Sequence, residues 1–117
     1  MRILIVDDFA PLRRLAAVLL ADSGITIVGD ASDGEAAVDA ARRLTPDVVL
    51  LDYQMPRMDG LTAARLLKQL PHAPRIVLWS SDAEELVGAA RAAGIDAVLP
   101  KGCSQSQLQQ ALMPAAA

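Results

Sequence analysis

Five residues in this sequence could do chemistry together if the chain brings them together. Asp7 and Asp8 close the apolar run "ILIV", Asp52 closes "DVVLL", Ser80 follows "RIVLW", and Lys101 follows "IDAVLP". Each of these short apolar runs therefore ends on a carboxylate, a hydroxyl or an ammonium. Three carboxylates within about 5 Å of one another repel by roughly 3 kcal/mol per pair at an effective dielectric of about 20, so they either protonate or collect a cation. Carboxylate, carbonyl and water oxygens suit Mg²⁺, which usually takes one or two protein carboxylates together with a phosphate oxygen. An ammonium and a hydroxyl beside that ion would contact phosphate oxygens. One carboxylate is then left to attack phosphorus and form an aspartyl phosphate, and Asp52 is the most central.

That convergence requires parallel strands, and the rest of the chain supplies them. Val- and Ile-rich runs at 2–6, 25–28, 47–51, 75–79 and 95–99 alternate with Ala- and Leu-rich stretches of helical period. Pro11 opens the first helix, Leu12, Leu15, Ala16 and Leu19 form its buried face, and Gly24 closes it. The second helix starts near Ser32 or Asp33, buries Ala37, Val38, Ala41 and Leu44, and ends before Pro46. The third runs from about Leu61 to Leu70. "SDAE" at 81–84 reads as a capping box with Ser81 at the N-cap and Glu84 three residues on, and Gly94 ends that fourth helix. "SQSQ" at 104–107 is a second such box, and its helix stops near Met113 because Pro114 follows. Strict alternation, with strands apolar on both faces, predicts an α/β fold: a doubly wound five-stranded parallel sheet with five helices. Ligands of such sheets sit at the carboxyl ends of the strands, where the five residues fall. Residues 1–117 are expected to form a single domain, the last few being a tail or linker remnant.

Composition narrows the function. Eleven Lys and Arg against fourteen Asp and Glu give a net charge of −3, and no basic stripe suggests direct nucleic-acid binding. The first apolar run is four residues long, too short for a signal peptide or a membrane span. Cys103 is the only cysteine, which excludes an internal disulfide and fits a reducing, cytoplasmic compartment.

"ILIVDDF", "DVVLLDYQMPRMDG" and "AVLPKG" together resemble the receiver domains of two-component response regulators, over nearly the whole chain. The resemblance implies a flavodoxin-like sheet of order 2-1-3-4-5. It further implies that Asp52 accepts a phosphoryl group, that Asp8, Asp52 and the backbone carbonyl of Gln54 bind Mg²⁺ with help from Asp7 through water, that Lys101 contacts the phosphoryl group, and that Ser80 moves toward it. The implied partners are a sensor histidine kinase or phosphotransfer protein, and a downstream protein target or DNA-binding domain outside these residues. Dimerisation on phosphorylation is compatible with this scheme, and the surface expected to change is that of the fourth helix, fifth strand and fifth helix.

The match is loose at three points. Counting back from Lys101, Trp79 would take the hydroxyl position that Ser80 takes counting forward from Asp52; the role needs a hydroxyl, and Ser81 is the rival. Val98 stands where many receivers have an aromatic ring, and Gly102 follows the lysine where a proline is frequent. Other readings compete residue by residue: Asp7 or Asp8 as a cap for the first helix, Lys101 as a solvated charge, Trp79 as core, His72 in "PHAP" as a solvent-exposed loop residue. Competing functions are a phosphorylation-independent receiver, a Mg²⁺-dependent phosphatase of the haloacid dehalogenase type, and flavin binding. The phosphatase would need an aspartate two residues after Asp7, where Phe9 stands, and the flavin site would need a Ser/Thr-rich phosphate loop that the sequence lacks.

Overall fold

A computed structural model describes residues 1–113. Strands β1 (Arg2–Val6), β2 (Thr26–Ala31), β3 (Val48–Asp52), β4 (Arg75–Ser80) and β5 (Ala97–Pro100) pair in parallel in the order β2-β1-β3-β4-β5. Helices α1 (Ala10–Leu19), α2 (Gly34–Leu44), α3 (Gly60–Lys68), α4 (Ala83–Ala92) and α5 (Gln105–Leu112) alternate with them. The central strands are apolar on both faces because each face has its own core. Leu4, Val6, Val49, Leu51, Ile76 and Leu78 pack with residues of α2, α3 and α4, whereas Ile3, Ile5, Val48, Leu50, Val77 and Trp79 pack with α1 and α5. From β1 the chain moves outward to β2, and from β3 it moves the other way to β4. The carboxyl ends of β1 and β3 therefore flank the point where the winding reverses.

Several local expectations change. The buried residues of α1 are Ala16 and, just past its end, Leu20, while Leu15 is 44 % exposed. Leu12, Ala16, Leu19 and Leu20 face the sheet, and Pro11, Leu15 and Val18 face outward. The helix ends at Leu19, and Gly24 (φ 82°) lies in the turn beyond it. Strand β2 reaches Ala31, with a register shift opposite Ile3 and Leu4 that adds a residue to it. Asp33 caps α2 by accepting from the Ala36 amide at 2.8 Å, as expected, and Ser104 with Gln107 forms the full capping box of α5. The box expected at α4 does not form. Its N-cap is Asp82, without a side-chain cap; Ser80 Oγ accepts the Asp82 amide at 3.1 Å, and Ser81 is exposed. Pro114, invoked to stop α5, lies outside the described residues. Among the described residues no helix is long and apolar enough to cross a membrane.

Candidate functional site

Asp7 directly follows β1, Asp52 is the last residue of β3, and parallel pairing of those two strands brings their ends together. Asp7, Asp8 and Asp52 each offer a carboxylate oxygen within 4.8 Å of the others. Lys101, just after β5, reaches across the strand ends so that Nζ lies 3.0 Å from Asp52 Oδ1 and 3.1 Å from Asp7 Oδ2. Asp7 and Asp52 are buried and Asp8 is exposed, so the cluster has a closed floor and an open rim.

Neither aspartate after β1 caps α1. The N-cap is Phe9, with no side-chain hydrogen bond, and Asp7 Oδ1 instead accepts the Phe9 amide at 2.9 Å. The Asp7 backbone is fixed twice more: its N–H donates to the Ala31 carbonyl at 3.1 Å, and its carbonyl accepts from Arg13 Nη1 at 2.6 Å. Arg13 escaped the sequence reading; its only signal is its place one turn into the helix that follows Asp7. Asp7 Oδ2 is buried and ion-paired to Lys101 at 3.1 Å, without an aligned hydrogen bond.

Gly60 holds the β3–α3 loop against the site. A Cβ there would overlap the Asp52 carbonyl oxygen and the Tyr53 Cα, so only glycine lets α3 start this close to the strand. Its N–H donates to Tyr53 O at 2.7 Å, and Asp59 caps α3 by accepting the Thr62 amide at 2.8 Å. Helix α3 thus starts at Gly60, not Leu61, and ends at Lys68. Asp8, Tyr53, Gln54, Met55, Pro56 and Asp59 line an open cleft of about 530 Å³ over the acidic cluster.

Ser80 and Trp79 separate by the alternation of β4. Trp79 is opposite Asp52 in the β3–β4 register, but its side chain enters the core with α1 and α5 and is 2 % exposed. Ser80 is the next residue, at the strand's carboxyl end, and its buried hydroxyl is oriented by the Asp82 amide. Gln54 Nε2 makes a long contact, 3.5 Å, to Asp82 Oδ2 across the rim. His72 is exposed in its loop, as expected. Val98 is half-buried and, with Ala83, Val87 and Pro100, borders a groove of about 450 Å³ between α4 and β5.

The electrostatics leave the cluster short of positive charge. At an effective dielectric of about 20, Lys101 attracts Asp52 by roughly 5 kcal/mol, while Asp7 and Asp8 each repel it by roughly 3.5 kcal/mol or more. Burial, together with those two neighbours, lifts the Asp52 carboxyl above its ordinary value of 3.8 against the pull of Lys101. Burial works against the Lys101 ammonium, but its pairs with Asp52 and Asp7 outweigh burial and raise it above 10.5. A donor set made of hard oxygens, two of its three carboxylates buried, with a single ammonium for all three, fits a divalent cation such as Mg²⁺.

A family model described as the response regulator receiver domain matches residues 3–113. This chain belongs to that family. It is 45 % identical to a protein-glutamate methylesterase/protein-glutamine glutaminase of Geobacter metallireducens over 86 % of its own length and 30 % of the relative's. It is 41 % identical to the transcriptional regulatory protein PdtaR of Mycobacterium tuberculosis over 95 % of its own length and 54 % of that protein's. The receiver thus spans between about a third and a half of these curated relatives. Among solved structures, it superposes on CheY in a CheX–CheY–BeF3–Mg²⁺ complex from Borrelia burgdorferi with a TM-score of 0.89 at 28 % identity, covering 97 % of this chain and 87 % of that one. The response regulator domain of Thermotoga maritima CheB gives 0.83 at 28 % identity, covering 94 % and 88 %. The strand order implied by the sequence resemblance is the one observed.

Proposed function

We propose that this receiver takes a phosphoryl group onto Asp52 from a histidine kinase or phosphotransfer protein and, in response, changes a protein-binding surface. The observation that carries the reading is the triangle of Asp52, Asp7 and Lys101, in which one ammonium holds two buried carboxylates at 3.0 and 3.1 Å beside a third carboxylate. Asp8, Asp52 and the Gln54 carbonyl would hold Mg²⁺, with Asp7 assisting. When bound, that ion supplies positive charge to the phosphoryl oxygens. An Asp52 carboxylate oxygen attacks phosphorus, the bond from phosphorus to the donor nitrogen breaks, and the imidazole leaves. Lys101 neutralises a phosphoryl oxygen, having exchanged part of its pairing with Asp52 for it.

Ser80 is the switch in this reading. Its hydroxyl accepts the Asp82 amide at 3.1 Å, so any shift of Ser80 toward the phosphoryl group pulls on the first residues of α4, beside the α4–β5 groove. With Val98 in that groove, the signal passes through the backbone of α4 and β5, with no rotating ring. Beyond Asp8, Phe9 at the start of α1 and Leu15 and Val18 on its outer face are 56, 44 and 68 % exposed, an apolar surface that suits the docking of the phosphoryl donor. The output is a protein target or a DNA-binding domain, phosphorylation-dependent dimerisation is one form it can take, and the chain works as one domain in a cytoplasmic setting.

The test is incubation with Mg²⁺ and acetyl phosphate, followed by mass measurement. One labile phosphoryl adduct is expected, and it disappears in Asp52→Asn. An adduct that survives the substitution overturns the assignment, and no adduct at all makes this a phosphorylation-independent receiver.

A further inference from the structure

We propose that the Asp33–Arg57 ion pair and the seating of Met58 on Gly34 form a latch between α2 and the β3–α3 loop that sets how tightly the acidic cluster holds its cation. The inference rests on the proposed Mg²⁺ site and adds residues that touch neither the cation nor the phosphoryl group.

The loop has to keep Gln54 beside Asp8, since both line the cleft over the cluster. Its ends are fixed by the Gly60 N–H to Tyr53 and by the Asp59 cap. Its middle is not held by the sheet. There Arg57 adopts φ 69°, and the Met58 N–H donates to the Pro56 carbonyl at 2.8 Å, a tight turn that side-chain-bearing residues adopt only where their surroundings fix it. Two contacts to α2 do the fixing. Arg57 Nη2 lies 2.9 Å from Asp33 Oδ2, while the other Asp33 oxygen caps α2. Met58 rests on Gly34 so closely that a Cβ there would come within 2.7 Å of its sulfur. The Arg57 side chain is 74 % exposed, so the ion pair is the weaker half of the latch, and the half-buried Met58 contact is the stronger. Arg57 and Met58 are therefore positioning residues for the loop that carries the Gln54 carbonyl.

Mg²⁺ titrations of the full chain, by calorimetry and by Trp79 fluorescence, test the latch alongside urea unfolding of the metal-free protein. Arg57→Gln and Asp33→Asn, the latter keeping an oxygen to cap α2, are each expected to weaken Mg²⁺ about two- to five-fold, and the double variant no further than the worse single one. Gly34→Ala, which pushes Met58 away, is expected to weaken it about tenfold. Should Gly34→Ala fail to fold, the Asp33/Arg57 pair decides alone. Variants that unfold earlier but bind Mg²⁺ as tightly as the parent overturn the latch. A parent chain with no Mg²⁺ uptake that Asp8→Asn removes overturns the metal site itself, a result distinct from failure of the latch.

Discussion

The molecule has two lysine–carboxylate clusters, at opposite ends of its sheet, and they have opposite electrostatic character. At the amino end, Lys68 Nζ lies 2.8 Å from Asp96 Oδ2 and 2.8 Å from the Pro74 carbonyl, and the same Asp96 oxygen accepts the Ile76 amide at 2.8 Å. One ammonium meets one carboxylate there, and the remaining polar groups are backbone. Burial pushes the Asp96 carboxyl upward, but the Lys68 and Ile76 hydrogen bonds win and hold it below 3.8. At the carboxyl end, Lys101 meets Asp52 and Asp7 with Asp8 alongside, and the Asp52 carboxyl is raised. The residue types are the same, so the difference comes from stoichiometry and burial: a closed pair staples a loop, whereas a surplus of buried carboxylate creates demand for a cation.

The largest effect that would break this comparison is on cation binding. Asp8→Asn and Asp52→Asn are each expected to weaken Mg²⁺ by about ten- to a hundred-fold, because each removes a carboxylate donor. Asp96→Asn and Lys68→Met are expected to leave it within a factor of about two, being too distant to couple. Calorimetric titration at fixed ionic strength reads both. If the amino-end variants weaken Mg²⁺ as much as the carboxyl-end ones, the division between staple and site fails.

The order of the elements and the identity of the cluster were legible in the sequence, because both follow from one pattern: short apolar runs that terminate on charge. Asp7, Asp8, Asp52, Ser80 and Lys101 could be named because parallel strands put their carboxyl ends together whatever the details. What stayed illegible depends on three-dimensional proximity with no periodicity. Gly60 could be read as a turn glycine, but its actual constraint is the Asp52 carbonyl lying where a Cβ would go. Ser81 has the spacing of a cap, but α4 starts one residue later than that spacing implies, with Asp82 at the N-cap and no side-chain cap. On α1, apolar residues occupy every position from Leu15 to Leu20, so the sequence cannot say which stripe faces the sheet. Lys68 and Asp96, 28 residues apart, carried no signal at all.

The second prediction concerns stability, where the two clusters should respond with opposite sign. Asp52→Asn relieves a net repulsion and is expected to raise the metal-free protein's unfolding free energy by about 1–2 kcal/mol at neutral pH. Asp96→Asn weakens a charge-assisted bond to Lys68 and disturbs the partner of the buried Ile76 amide, and is expected to lower it by about 1–2 kcal/mol. The pH dependence follows the same signs. A raised Asp52 means the folded state binds that proton more tightly than the unfolded chain, so its contribution is present below 3.8 and is lost as pH rises through the raised value. A lowered Asp96 contributes stability above 3.8 that is lost as pH falls through its depressed value. Urea midpoints across pH should therefore lose their decline on the high-pH side in Asp52→Asn and their decline on the acid side in Asp96→Asn. The same sign of change in both variants would refute the contrast.

The smallest effect tests the other difference between the clusters, which is that only one of them is open. The Lys68–Asp96 pair is tied to backbone on both partners, whereas the acidic cluster lies under a cleft lined by Gln54, whose Nε2 makes a long 3.5 Å contact to Asp82. A contact of that length is weak, and the hypothesis it carries is that Gln54 governs how water reaches an acyl phosphate on Asp52. Gln54→Ala removes it and is expected to shorten the phosphoryl lifetime by about two- to five-fold, corresponding to about 0.5–1 kcal/mol on the hydrolysis barrier. Loss of the adduct with time after removal of acetyl phosphate measures this, and Asp82→Asn, which keeps an acceptor for Gln54, should change it less. A lifetime unaltered by Gln54→Ala would mean that the rim does not meter water, and that access to the phosphoryl group is governed from below, by Lys101 and the buried floor.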